Sequence, residues 1–194
     1  MKKTVHGIGY FGDGDYVGSV GGKKTAAYRS WQNMLTRCYC PLSQIKKPSY
    51  VGCTVHPDWH NFQNFAEWYY SQDCCAMGYE LDKDIINKGN TTYSKDLCCL
   101  VPRELNALLA SNKSLRGKYP IGVNFRKETG RYEVRTSENG KRKHIGMFDS
   151  ADSAFLGYKA ARERYFRIMA MKYIGVLPSN AFDSLMRREV EVCE

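Results

Sequence analysis

The sequence is short of several things, and each shortage removes a class of protein. It has no run of about 18 apolar residues, the length a membrane-spanning helix needs. Lys2 and Lys3 open the chain like a signal n-region, but no apolar segment stands behind them. A cytoplasmic location is therefore expected. In that compartment the eight cysteines are expected to be reduced thiols or metal ligands rather than disulfides. No Cys-x-x-Cys pair occurs, so the strongest zinc signature is missing. Acidic residues are outnumbered, 20 Asp and Glu against 29 Lys and Arg, which leaves a net charge of +9 and a pI near 9.1. Such a balance favours an anionic partner.

Aromatic residues are plentiful. The 14 Tyr, 8 Phe and 3 Trp can build one medium core or two small ones within 194 residues. Residues 1–22 are rich in Gly and read as a flexible arm with a weak hairpin. From Thr25 a helix is predicted, because Tyr28, Trp31, Leu35 and Cys38 recur at helical spacing with Met34 beside them. Residues 39–50, with Pro41, Lys46, Lys47 and Pro48, read as a basic loop, and 50–55 as a short strand. Pro57 and Asp58 open a second helix, with Trp59, Phe62, Phe65, Ala66 and Tyr69 on its core side. After Gly78 the order is strand (79–86), turn (87–90), strand (97–101), then a helix opened by Pro102. Residues 111–120 are polar and basic and read as a linker. Gly175 and Pro178 interrupt a later pattern, and a last helix is predicted over 180–192.

The best-specified stretch is 121–173. Three runs of period-two alternation are separated by Glu128-Thr129-Gly130 and Glu138-Asn139-Gly140, both hairpin-turn sequences. Val123, Phe125, Tyr132, Val134 and Ile145 point one way. Asn124, Arg126, Arg131, Glu133, Arg135, Ser137, Arg142 and His144 point the other. The helix that follows is capped by Asp149 or Ser150. It offers Ala154, Phe155, Tyr158, Ala161, Tyr165, Ile168 and Met169 as a cover for the first face. The second face is left to solvent or a ligand. Between Lys113 and Lys143 lie ten Lys and Arg and three Glu, so most of the excess charge is here. Arginines on a β face suit guanine edges and phosphates, and the DNA major groove admits β elements. RNA could meet the same face.

These residues resemble the AP2/ERF-type DNA-binding domain. The resemblance rests on Gly122-Val123, on Gly130-Arg131-Tyr132, and on Ile145-Gly146-Met147-Phe148-Asp149-Ser150 leading into Ala151-Asp152-Ser153-Ala154-Phe155-Leu156-Gly157-Tyr158. It implies a three-stranded antiparallel sheet packed on one helix, reading DNA with its open face. Carried over by position, it implicates Asn124, Arg126, Arg135, Ser137, Arg142 and His144; the alternation adds Arg131.

Residues 79–110 are similar to a degenerate HNH (ββα-metal) endonuclease unit. Asp82-Lys83, Gly89-Asn90, Asp96-Leu97 and Asn106 stand in places comparable to that family's motif. The resemblance implies a site built from Asp82, Lys83, Asp84, Asn90 and Asn106 around a divalent metal, Mg or Mn. Such a nuclease needs a neutral histidine to deprotonate water and a metal to stabilise the leaving group. Lys83 stands where the histidine belongs, and a lysine of ordinary pKa near 10.4 is a poor base at neutral pH. His56 and His60 could serve only by folding back.

A zinc site is a separate expectation. Cys53-x-x-His56 is the nearest approach to a ligand pair, with Cys38 and Cys98 as candidates to complete it, against the alternative of buried free thiols. The expected organisation is thus an α+β chain with four parts: a flexible arm (1–22), an HNH-like module (23–112), an AP2-like domain (119–173) and a helical extension (174–194). HNH-like and AP2-like segments recur together in mobile homing endonucleases and phage-encoded proteins. The expected function is binding of double-stranded DNA with metal-dependent phosphodiester cleavage. The alternative is a non-catalytic DNA-binding regulator or inhibitor of the same architecture. No membrane partner is expected.

Overall fold

The computed structural model describes residues 5–109 and 118–192. The chain divides into two compact units, Met1–Asn106 and Ala107–Glu194. The expected linker falls largely on residues outside the described ones.

The first unit is built on two helices that bury one aromatic core. Helix α1 (Ala26–Tyr39) starts at Thr25, whose hydroxyl accepts from the Tyr28 amide. Of its predicted stripe Trp31, Met34, Leu35 and Cys38 are buried, Tyr28 is only partly buried, and Ala27 joins them inside. Helix α3 (Phe62–Tyr70) brings Phe62, Phe65, Ala66 and Tyr69 against it. Burying each such side chain is worth about 1.5–3 kcal/mol. Trp31 has a polar end, and its indole N–H donates to the Trp59 carbonyl at 2.7 Å. The helix expected to open at Pro57 is divided in two. A 3-10 turn covers Pro57–His60, and α3 begins only after Asn61, whose side chain caps the Gln63 amide.

Two expectations for this unit are corrected. The glycine-rich N-terminal stretch, from residue 5 onward, is not a free arm. Tyr10 exchanges main-chain hydrogen bonds with His60 and Phe62 at 2.9 Å, and the Gln63 side chain holds both the amide and the carbonyl of Tyr16 at 3.0 Å. Gly9 explains the composition: a Cβ there would lie 2.5 Å from Leu35 Cδ1, so glycine marks close approach to α1. A short hairpin, β1 (Ser19–Val20) paired with β2 (Lys23–Lys24), straddles the expected end of the arm at residue 22. The second correction concerns the basic loop. Pro41–Lys46 form a short helix α2, followed by a 3-10 turn at Pro48–Tyr50. Pro41 sits at the first helical position, where its missing N–H costs nothing.

Strand β3 (Thr54–Val55) pairs in parallel with β5 (Thr92–Tyr93), a strand absent from the sequence expectation. Strand β4 (Glu80–Asp82) pairs antiparallel with β6 (Cys99–Val101), and α4 (Arg103–Leu109) follows. The expected strand, strand, helix succession holds for β4, β6 and α4, but the connection between the two strands contains β5, which pairs elsewhere.

The second unit contains a three-stranded antiparallel sheet in the order β7 (Val123–Arg126), β8 (Arg131–Glu138), β9 (Lys141–Phe148), packed on α5 (Ala151–Lys172). Ser150 is the cap of α5, in a reciprocal arrangement with Ser153. The β8–β9 turn places Asn139 and Gly140 at positive φ, as a two-residue hairpin requires. Tyr165 of α5 pins that turn, accepting from the Asn139 amide and donating to its side-chain oxygen, both at 2.9 Å. Val123 and Val134 are buried beneath α5. Simple alternation fails once. Val134 pairs with Gly146 and Arg135 with His144, so Ile145 is the extra residue of a bulge. The slip lets Phe148 also turn to the covered face, where its ring meets Gly157. The last helix, α6, spans Ser179–Arg187. No helix among the described residues is long and apolar enough to cross a membrane.

Candidate nucleic-acid interface

Cross-strand register decides which side chains share a face. Asn124 stands opposite Glu133, Arg126 opposite Arg131, Arg135 opposite His144, and Ser137 opposite Arg142. Directly opposed residues project to the same side. Asn124, Arg126, Arg131, Arg135, Ser137, Arg142 and His144 therefore all stand on the face turned away from α5.

Glu133 organises that face. Its side chain is only 7% exposed, and Arg126 and Arg135 both close on it. Arg126 binds Oε2 through Nε at 2.6 Å and through a second guanidinium nitrogen. Arg135 binds Oε1 through Nε at 2.8 Å. His144 Nδ1 lies 3.3 Å from the same Oε1. Burial opposes ionisation of Glu133, but the hydrogen bonds from Arg126 and Arg135 outweigh it, and the carboxyl is held below its ordinary range. One buried anion thus fixes two guanidinium planes, each still about two-fifths exposed. Arg131 is tied down separately, to Asp149 at 2.8 Å and to the Met147 carbonyl at 3.1 Å. Arg142, Asn124 and Ser137 are exposed. Sequence reasoning places Glu133 on this face without giving it a role. Its signal is an acid flanked at two-residue spacing by Arg131 and Arg135.

The proposed catalytic residues of the first unit are engaged in local structure. Asp82 is buried and its Oδ1 accepts from the amides of Asp84 at 2.8 Å and Ile85 at 2.7 Å. Burial raises its pKa, against the pull of those two amides. Lys83, also buried, sends Nζ to both carboxylate oxygens of Asp84 at 2.8 Å and to the Asn90 carbonyl at 2.6 Å. Asn90 donates to the carbonyls of Lys83 and Thr92 and accepts from the Thr92 amide. Asn106 donates to Glu80 at 2.6 Å. Asp82, Lys83, Asp84 and Asn90 form one hydrogen-bonded loop, and Asn106 belongs to a different contact.

The zinc candidates are not gathered. Cys38, Cys53 and Cys98 are buried, while His56 is half exposed and turned to Asp58 at 3.5 Å. Cys53 donates weakly to the Ser49 carbonyl at 3.8 Å. Burial pushes the thiols of Cys38 and Cys98 up to about 12, the behaviour of inert core sulfur. Among the described residues no three His, Cys, Asp or Glu side chains converge as a metal site. The described cysteines are all free thiols.

Sequence reasoning also misses a pocket in the first unit, lined among others by Trp59, Trp68, His56, Asp58, Glu67 and Asp96. Helical spacing marks Trp59 as core and gives Trp68 no role. Compared with protein-family models, curated proteins and solved structures, the chain has no match.

Proposed function

We propose that the protein binds double-stranded DNA through the open face of the β7–β9 sheet, as a cytoplasmic, non-catalytic relative of the HNH–AP2 homing-endonuclease architecture. The observation that supports this best is the Arg126–Glu133–Arg135 cluster, in which a buried carboxylate holds two half-exposed guanidinium groups side by side. Guanidinium groups held at fixed orientation lose little freedom on meeting a phosphate or a guanine edge. The exposed Arg142 and Ser137 extend the same face.

The non-catalytic reading rests on the chemistry of the donor set. A divalent cation between Asp82 and Asp84 would have to displace the Lys83 ammonium, which already neutralises the Asp84 carboxylate. Lys83 Nζ spends its donors on the two Asp84 oxygens and the Asn90 carbonyl, so it is tied into the loop and does not face a water that it could activate.

Fluorescence anisotropy with a labelled duplex, repeated across salt concentrations, tests the DNA reading. Arg142→Ala is expected to reduce the slope of log affinity against log salt by about 0.9, one phosphate contact. Arg126→Gln with Arg135→Gln keeps donors for Glu133 and is expected to weaken binding at least about tenfold. Unchanged affinity and slope in both variants would sink the sheet-face reading. Supercoiled plasmid with Mg or Mn, with and without EDTA, tests the second part. Metal-dependent nicking that is lost in Asp84→Ala would restore the nuclease.

A further inference from the structure

Between Asp15 and Asp58 the chain has no acidic residue, while Lys23, Lys24, Arg29, Arg37, Lys46 and Lys47 lie in that interval. The C-terminal part of this interval is a protrusion, α2 and the 3-10 turn after it. Its apolar residues do not enter the core: Leu42 is 72% exposed, Ile45 74% and Val51 64%. Leu42 and Ile45, three apart, share one side of α2. Lys46 and Lys47 follow directly and are also exposed. The base of the protrusion is held firmly. Gln44 Nε2 donates to the Cys38 carbonyl at 2.7 Å, the Arg37 guanidinium lies 5.4 Å over the Tyr50 ring, and the Val55 amide donates to the Tyr39 hydroxyl at 2.9 Å. The apolar pair is thus carried outward on an anchored support beside two exposed lysines.

We propose that residues 41–51 are a second DNA contact, a wedge that lays Leu42 and Ile45 into the minor groove at a base step while Lys46 and Lys47 sit on the flanking phosphates. The proposal rests on the reading of the protein as a DNA binder. Small apolar side chains flanked by cations are the chemistry that unstacks and bends a duplex, because the wider surface a bent duplex presents to the protein offsets the cost of unstacking. Every charged residue of the 16–57 interval is a Lys or Arg, complementary to the phosphate backbone. An anionic lipid surface has the same charge. However, interfacial helices bury a continuous apolar face over several turns, and α2 has only six residues.

The test uses the full chain and a duplex of about 40 base pairs labelled at both ends for energy transfer, in parallel with vesicles of phosphatidylserine and phosphatidylcholine. Leu42→Ser with Ile45→Ser is expected to abolish the protein-induced bend and lower affinity at least fivefold. Lys46→Gln with Lys47→Gln is expected to lower the salt slope by about two contacts, roughly 1.8. All four positions are exposed, and thermal melting is expected to show wild-type stability in both variants. A bend that persists in the serine variant, or an unchanged slope in the glutamine variant, overturns the wedge. So does loss of vesicle binding in both variants with DNA binding intact. If these variants lose bend and slope while the arginine variants of the sheet face bind normally, the wedge stands and the sheet-face reading falls. A wild-type chain that binds no duplex removes both.

Discussion

Lys83 and Asn90 hold each other reciprocally: Lys83 Nζ donates to the Asn90 carbonyl at 2.6 Å, and Asn90 Nδ2 donates back to the Lys83 carbonyl at 2.9 Å. The pair closes the loop between β4 and β5. It explains how a lysine can be buried at the end of a strand, since its charge is met by Asp84 and its remaining donor by a carbonyl.

Replacing Lys83 with Met should therefore act on folding. The substitution leaves the Asn90 carbonyl without its donor and Asp84 without its counter-ion. Loss of charged hydrogen bonds of this kind costs about 2 kcal/mol. Urea denaturation of Lys83→Met should show that loss with DNA affinity unchanged. A variant of full stability would show that the reciprocal contact contributes nothing.

Asp82 separates a structural from a chemical role. Its folded pKa is raised, first by burial, so the folded state holds the proton more tightly than the unfolded chain does. Stability from this group is accordingly present at low pH and falls as pH rises from the ordinary value near 3.9 through the raised one. Asp82→Asn keeps an oxygen for the Asp84 and Ile85 amides and removes the ionisation. The variant should be at least as stable as wild type at pH 7, by unfolding midpoint, and should lose this part of the pH dependence. A large loss of stability at pH 7 would contradict the assignment.

Glu133 has the opposite sign. Its folded pKa is lowered, so its stabilisation is complete above the ordinary value near 4.3 and disappears as pH falls through the lowered value. Glu133→Gln should flatten the acid limb of stability measured between pH 6 and pH 3. It should also weaken DNA binding, because Arg126 and Arg135 lose the anion that orients them. If both curves matched wild type, the buried carboxylate would have no organising role.

Gly122 tests the packing of the sheet on α5. Its φ is +77°, and a Cβ there would lie 2.0 Å from Tyr158 Cδ2. Gly122→Ala combines backbone strain with overpacking, together about 2–4 kcal/mol. Thermal melting should show a clear fall in Tm, and an unchanged Tm would mean that Tyr158 can move aside.

Much of the second unit is legible in the sequence because its patterns are local. Alternation, two hairpin turns ending in glycine and a Ser-capped helix each depend on neighbours a few residues away. The exception is Ile145, where the bulge appears only when two strands are laid side by side. In the first unit the stripes Trp31–Leu35–Cys38 and Phe62–Phe65–Tyr69 are readable for the same reason. Strand β5 is not. Two residues carry too little pattern, and Thr92–Tyr93 becomes a strand only by pairing with Thr54–Val55, far away in the chain. The glycine-rich start misleads because composition reports freedom, whereas Gly9 is there for a contact with Leu35 on α1.

Residue type and short-range periodicity account for the charge, for most of the helix stripes (Ile168, expected on the covering side of α5, is 50% exposed), for the alternating strands and for the list of polar residues facing away from α5. What those polar residues do to one another depends on which strands and loops meet. Glu133 became the anchor of two arginines because strand pairing set it opposite Asn124 and beside Arg126 and Arg135. Lys83 became an ionic pin because the chain turned back to bring Asn90 over it. Leu42 and Ile45, apolar by type, were left outside because the core closed without them. Such outcomes follow from which distant segments meet, and that depends on packing across the whole chain.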